Sequence, residues 1–119
     1  MSYVDGYLLP VPRKNLDAYR KMAQVAGEVW MEHGALDYCE CVADDVNIKG
    51  FVHFPTIAKA KKSEVVVFAY VVFKSRAHRD KVNAKVMKDK RLRAGMDMKN
   101  MPFDCKRMAY GGFKTIVKF

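Results

Sequence analysis

The chain has 119 residues, half of them apolar and 29% charged, which is the composition of a globular protein with a real core and excludes collagen-like, disordered and disulfide-scaffold classes. No run of eighteen apolar residues is present, so no transmembrane helix is expected, and Met1–Gly6 lacks the basic start of a signal peptide. The net charge of +9 is unevenly placed: residues 1–60 carry −2 and residues 61–119 carry +11. A basic half can attract nucleic acid, anionic membrane or acidic substrates, but these bases are not interleaved with aromatics, which favours a solvated lysine-rich helix. Three cysteines, an odd number, together with no signal peptide, predict a reduced cytoplasmic setting.

The first strand is expected over residues 2–11, through Tyr3, Val4, Tyr7, Leu8, Leu9 and Val11, with Pro10 and Pro12 ending it. Asn15 is a suitable N-cap for a helix over 16–33. Leu16, Tyr19, Ala23, Ala26, Trp30 and His33 step by three and four along one helical face, and Gly34 provides the stop. Leu36, Tyr38, Glu40 and Val42 alternate with Asp37, Cys39 and Cys41, predicting a second strand that frays at Asp44-Asp45. Cys39 and Cys41 then face one side, and are expected as buried small apolar groups rather than a metal site.

Residues 47–62 read as a long connection, with one short helical turn opened by Pro55; such a connection is often a lid or pocket wall. The strongest strand follows, 64–73. Ser75 caps a second helix, about 76–92, stopped by Gly95, and Met96 to Asp104 reads as a loop. Residues 105–110 and 113–118 are strand-like, with a bulge or bend expected at Gly111-Gly112. The order strand, helix, strand, strand, helix, strand predicts one α+β domain over 1–119: a ferredoxin-like βαββαβ sandwich, an antiparallel sheet with two helices on one face.

Residues 65–73 are apolar without interruption. A sheet with one solvated face should alternate, so continuous apolarity requires cover on both faces, and two helices cover only one. A second copy packed sheet to sheet about a two-fold axis is the simplest cover, which predicts a homodimer through the open face.

Few residues carry a chemical signature. His78 falls on a helical face with Val82 and Val86 and is a candidate acid/base, as is His33 at the end of the first helix. Glu40, which shares a face of the second strand with Tyr38, is the third catalytic candidate; if buried it needs a partner, and Arg107, His33 and His78 are the available ones. Trp30 and Tyr110 complete the candidates for a ligand-binding wall, with Arg107 holding an anionic group. The chain contains no P-loop, GxGxxG or H-E-x-x-H motif, and neither a metal nor a cofactor is expected. Phe68-Ala69-Tyr70-Val71-Val72-Phe73 fits part of an RNA-recognition signature, in which Phe68 and Tyr70 would stack bases. The basic residue and glycine that should precede it are Val66 and Val67.

Several segments together resemble the bacterial domain-of-unknown-function family 1428: Gly6-Tyr7-Leu8-Leu9-Pro10-Val11-Pro12, Glu32-His33-Gly34-Ala35-Leu36-Asp37-Tyr38, Lys74-Ser75-Arg76-Ala77-His78-Arg79-Asp80, Val82-Asn83-Ala84-Lys85-Val86-Met87, Met101-Pro102-Phe103-Asp104 with Lys106-Arg107-Met108, and Tyr110-Gly111-Gly112-Phe113. Cys105 stands where that pattern usually has glycine. The resemblance implies a dimeric α+β barrel and no established activity; the wider superfamily includes small monooxygenases, isomerases and haem-degrading proteins with pockets between sheet and helices. The expected function is thus a cytoplasmic homodimer with a small-molecule pocket, of cofactor-independent monooxygenase or isomerase type if it is an enzyme. The alternatives are an RNA-binding module using the Phe68/Tyr70 face and a non-catalytic dimeric interaction protein. Nucleic acid and membrane are not the expected partners.

Overall fold

Two long strands, β1 (Tyr3–Pro12) and β3 (Glu64–Phe73), pair antiparallel along their whole length, from Tyr3 opposite Phe73 to Pro12 opposite Glu64. The computed structural model describes residues 1–95 and 101–119. β2 (Asp37–Val42) lies outside β3 and β4 (Ala109–Lys114) outside β1, both antiparallel, giving the order β2-β3-β1-β4. The helices α1 (Leu16–Glu32) and α3 (Arg76–Lys88) cover one face, so the ferredoxin-like plan expected from the element order is the observed fold. Among the described residues no helix is long and apolar enough to cross a membrane.

Strand parity decides what is covered. Odd-numbered Tyr3, Leu9 and Val11 of β1 and Val67, Val71 and Phe73 of β3 pack against Tyr19, Ala23, Ala26, Val29 and Trp30 of α1 and Val82 and Val86 of α3. The even positions form the open face. There Phe68 is 47% exposed, and Phe113, beside β1, is 62% exposed. Phe54 of the connection packs edge-on against Phe68, with ring centroids 6.4 Å apart. The connection, with its short helix α2 (Phe54–Ile57), therefore lies against the open face and does not line the cavities described below.

Several local expectations are corrected. β1 runs through both prolines, because its pairing with β4 stops at Leu8 and no ladder bond is lost on that side. Asn15 does not cap α1 with its side chain; its Nδ2 donates to the Pro102 carbonyl (3.0 Å), and a 3₁₀ turn, Arg13–Asn15, leads into the helix. Ser75 does cap α3, its Oγ accepting from the His78 N–H at 3.1 Å. The single helix expected over 76–92 breaks at Asp89, which has extended backbone and whose carboxylate accepts from the Arg91 N–H (2.9 Å), starting a new helix, α4 (Lys90–Gly95). The loop expected over 96–104 lies outside the described residues at 96–100; Met101–Asp104 has no regular structure.

β4 passes straight through Gly111-Gly112 with no bend. Glycine at 112 answers a close approach instead: the Tyr3 side chain lies against it and leaves no room for a Cβ. Residues 105–107 form a 3₁₀ turn rather than strand, and nothing past Lys114 is strand. Cys39 is half-buried and Cys41 exposed, so the pair is not core; their sulfurs lie 3.6 Å apart on the open face.

Candidate functional site

A cavity of about 820 Å³ lies between the helix-covered face of the sheet, α1, α3, α4 and the segment Met101–Met108. That is the size of a small-molecule site. Its walls are mainly apolar: Leu9, Met22, Leu92, Met101 and Met108 with the rings of Trp30 and Phe103. Polar groups enter from the sheet. Tyr38 and Glu40 are two residues apart on β2, so both side chains point to this face. Tyr19 reaches Glu40 from α1. The two phenols donate to separate oxygens of one carboxylate, Tyr19 Oη to Oε1 at 2.6 Å and Tyr38 Oη to Oε2 at 2.5 Å. These three residues also line a shallower groove of about 580 Å³ along the outside of α1 and β2.

Burial first, and the adjacent carboxylate second, hold the Tyr19 and Tyr38 hydroxyls far above the ordinary phenol range. Tyr7, on the same face of β1, is pushed up by burial, then by Tyr110, Asp5 and Glu40. All three are therefore O–H donors at neutral pH and cannot serve as bases. No basic side chain forms an ion pair with Glu40 among the described residues. Its two phenol bonds are the acceptor pattern of an ionised carboxylate.

One end of the cavity is fixed by a buried network. Asp5, fully buried, accepts from Arg79 (3.1 Å), Asn83 (3.3 Å) and Tyr110 (3.0 Å). Trp30 Nε1 donates to Asn83 Oδ1 at 3.0 Å, which ties α1 to α3 across the core. The Tyr110 ring stacks on Tyr7 with centroids 4.8 Å apart, and the Arg79 guanidinium lies 5.1 Å from the Tyr3 ring centre.

Of the residues singled out in the sequence, Trp30, Tyr38, Glu40 and Tyr110 line this cavity, and His78, His33 and Arg107 do not. His78 faces inward, its ring against Phe73, but its Nδ1 accepts the Lys74 backbone N–H (2.9 Å); it closes the turn into α3. His33 Nε2 is bonded to Asp89 (2.9 Å), where α3 breaks. Arg107 grips Glu64 through two bonds of 2.8 and 2.6 Å, so the carboxylate it neutralises is not Glu40. Glu40 has tyrosine partners rather than the arginine or histidine expected, because α1 brings Tyr19 over β2.

Sequence reasoning missed Tyr7, Tyr19, Asp5, Arg79 and Asn83. Parity carried part of the signal: Asp5 stands between Tyr3 and Tyr7 on the buried side of β1, where an acid needs partners. Arg79 and Asn83 are four apart on α3 and present one face to it. Among the described residues no three His, Cys, Asp or Glu side chains gather as a metal site would require.

The family model described as "Protein of unknown function (DUF1428)" matches residues 2–105. The chain is 43% identical over 117 residues to the uncharacterised protein YbaA of Escherichia coli K12, covering 98% of both chains, and equally similar to YbaA of Shigella flexneri. Among solved structures, a NIPSNAP family protein of unknown function from Agrobacterium tumefaciens matches with a TM-score of 0.58 at 14% identity, covering 96% of this chain and 87% of that one. The de novo designed protein Foldit4 matches at 0.51 and 10% identity, covering 97% and 99%. These likenesses concern the fold. With the family model spanning most of its length and relatives aligned end to end, the chain belongs to the DUF1428 family.

Proposed function

We propose that this protein is a cytoplasmic homodimer in which each subunit binds a small, largely apolar molecule in the cavity beneath α1, with Glu40 as the polar anchor. One observation carries the reading: a mostly apolar cavity of about 820 Å³ contains a carboxylate held by two phenols and by no cation among the described residues. A polar group that served the fold alone would be expected to be fully neutralised inside the core, as Glu64 is by Arg107.

The chemistry these side chains can supply themselves is proton transfer. Glu40 is the acceptor, and Tyr7, with a hydroxyl that donates to no described residue, is available to donate to oxygen on a ligand. That pairing suits an isomerase-type proton shift or deprotonation of an activated substrate. The dimer rests on the open sheet face, where Phe68, Tyr70 and Val72 are uncharged and not fully buried in the single subunit. The exposed bases of α3 stand on the opposite layer from Phe68 and Tyr70, which argues against base stacking on that face.

The test uses Trp30, the only tryptophan, as a reporter. A neutral apolar probe such as Nile red should quench Trp30 emission and gain emission of its own on binding, and Met22→Trp, which fills the cavity, should abolish the gain in the probe's own emission while the fold is retained by circular dichroism. Unchanged binding in that variant would place the probe elsewhere and overturn the reading.

A further inference from the structure

Resting on the small-molecule reading above, we infer that the ligand of this cavity is an organic cation: an ammonium or other positively charged nitrogen on an apolar body. The argument is a balance of charge. Two residues of formally charged type line the cavity among the described residues, Glu40 and Arg91. Arg91 is already committed, bonded to Asp89 at 3.0 Å and also paired with Glu32, two carboxylates for one guanidinium. The nearby Arg79 is committed to buried Asp5 at 3.1 Å. Among the described residues Glu40 has two hydrogen bonds and no counter-charge.

A half-buried carboxylate without a cation keeps part of its desolvation cost. An entering cation removes that cost, whereas an anion adds to it. The walls supply the second component of cation recognition. Trp30 and Tyr38, with ring centroids 6.0 Å apart, and the stacked Tyr7 and Tyr110 bring four rings to the cavity that holds Glu40. Such rings attract a positively charged nitrogen through their quadrupoles, and most strongly when it is desolvated. Met22, Met101 and Met108 provide adaptable apolar surface for the rest of the molecule.

The experiment follows Trp30 fluorescence with three probes of similar size: benzyltrimethylammonium, the neutral alcohol 2-methyl-1-phenyl-2-propanol, and phenylacetate. Wild type should bind the cation about tenfold or more tighter than the alcohol, and phenylacetate weakest. Glu40→Gln, nearly isosteric, should erase most of the cation's advantage and leave the alcohol within about threefold of wild type. Should that variant fail to fold, the order of the three probes on wild type alone decides. Equal binding of cation and anion, or a cation advantage untouched by Glu40→Gln, overturns the inference. Alcohol binding without cation preference leaves the cavity reading standing and removes this one; no response to any probe removes both.

Discussion

Tyr38 and Glu40 stand two residues apart on β2, and the phenol of the first donates to the carboxylate of the second at 2.5 Å. Strand alternation alone puts both side chains on one face. What makes the pair a site is α1, which adds Tyr19 and roofs the cavity. Removing one donor leaves Glu40 short of a partner in a half-buried position. Tyr38→Phe and Tyr19→Phe should each lower stability by about 1–2 kcal/mol, and the double variant should lose more than their sum, since it bares the carboxylate altogether. Urea unfolding of the four proteins measures this; strict additivity would mean the bonds act independently.

Arg107 and Glu64 predict a pH dependence. The bonds from Arg107 and then the Lys61 N–H, against the opposing effect of burial, bring the Glu64 carboxyl from its ordinary 4.5 down to about 2. Because the folded value is depressed, the stabilisation is complete above about pH 4.5 and disappears as the pH falls towards 2. Arg107→Met leaves buried Glu64 unpaired at a cost of about 2–4 kcal/mol, and Arg107→Met with Glu64→Gln should recover part of it. Denaturation midpoints between pH 2 and 7 follow both effects; a wild type whose acid sensitivity matches the double variant's would refute the role of the pair.

Gly34 ends α1 with φ at +115°, and a Cβ there would meet only ordinary contacts, His78 Nε2 at 3.5 Å and Val82 at 3.6 Å. The cost of Gly34→Ala is therefore conformational, about 1–2 kcal/mol, with little loss of packing. Thermal unfolding should show this loss while Trp30 emission stays unchanged; a larger loss with altered emission would indicate a packing role.

The open face predicts assembly. Wild type should sediment as a dimer at micromolar concentration, and Phe68→Asp should shift it to a folded monomer. Phe68 is 47% exposed in the single subunit, so an aspartate there is tolerated by the fold but costs on the order of 3 kcal/mol against a second sheet. A wild-type monomer, or a variant that remains dimeric, would refute the sheet-to-sheet arrangement.

The sequence by itself determined the order and type of the main elements, because the period-3.6 face of Leu16–His33, the alternation from Leu36 to Val42 and the β-branched, aromatic run 65–73 are patterns local to each segment. It also showed that Tyr38 and Glu40 share a face. It did not show which partner Glu40 meets, since Tyr19 is twenty-one residues away and reads simply as one more position on an apolar helix face. Nor did it show that Arg107 belongs to Glu64, or that Asp89 would leave the helix to cap the next one and hold His33. Those pairings depend on crossing distances between elements that lie far apart in the chain. Pattern fixes which face a side chain takes, whereas the tertiary structure decides which of several equally suitable groups arrives within 3 Å of it.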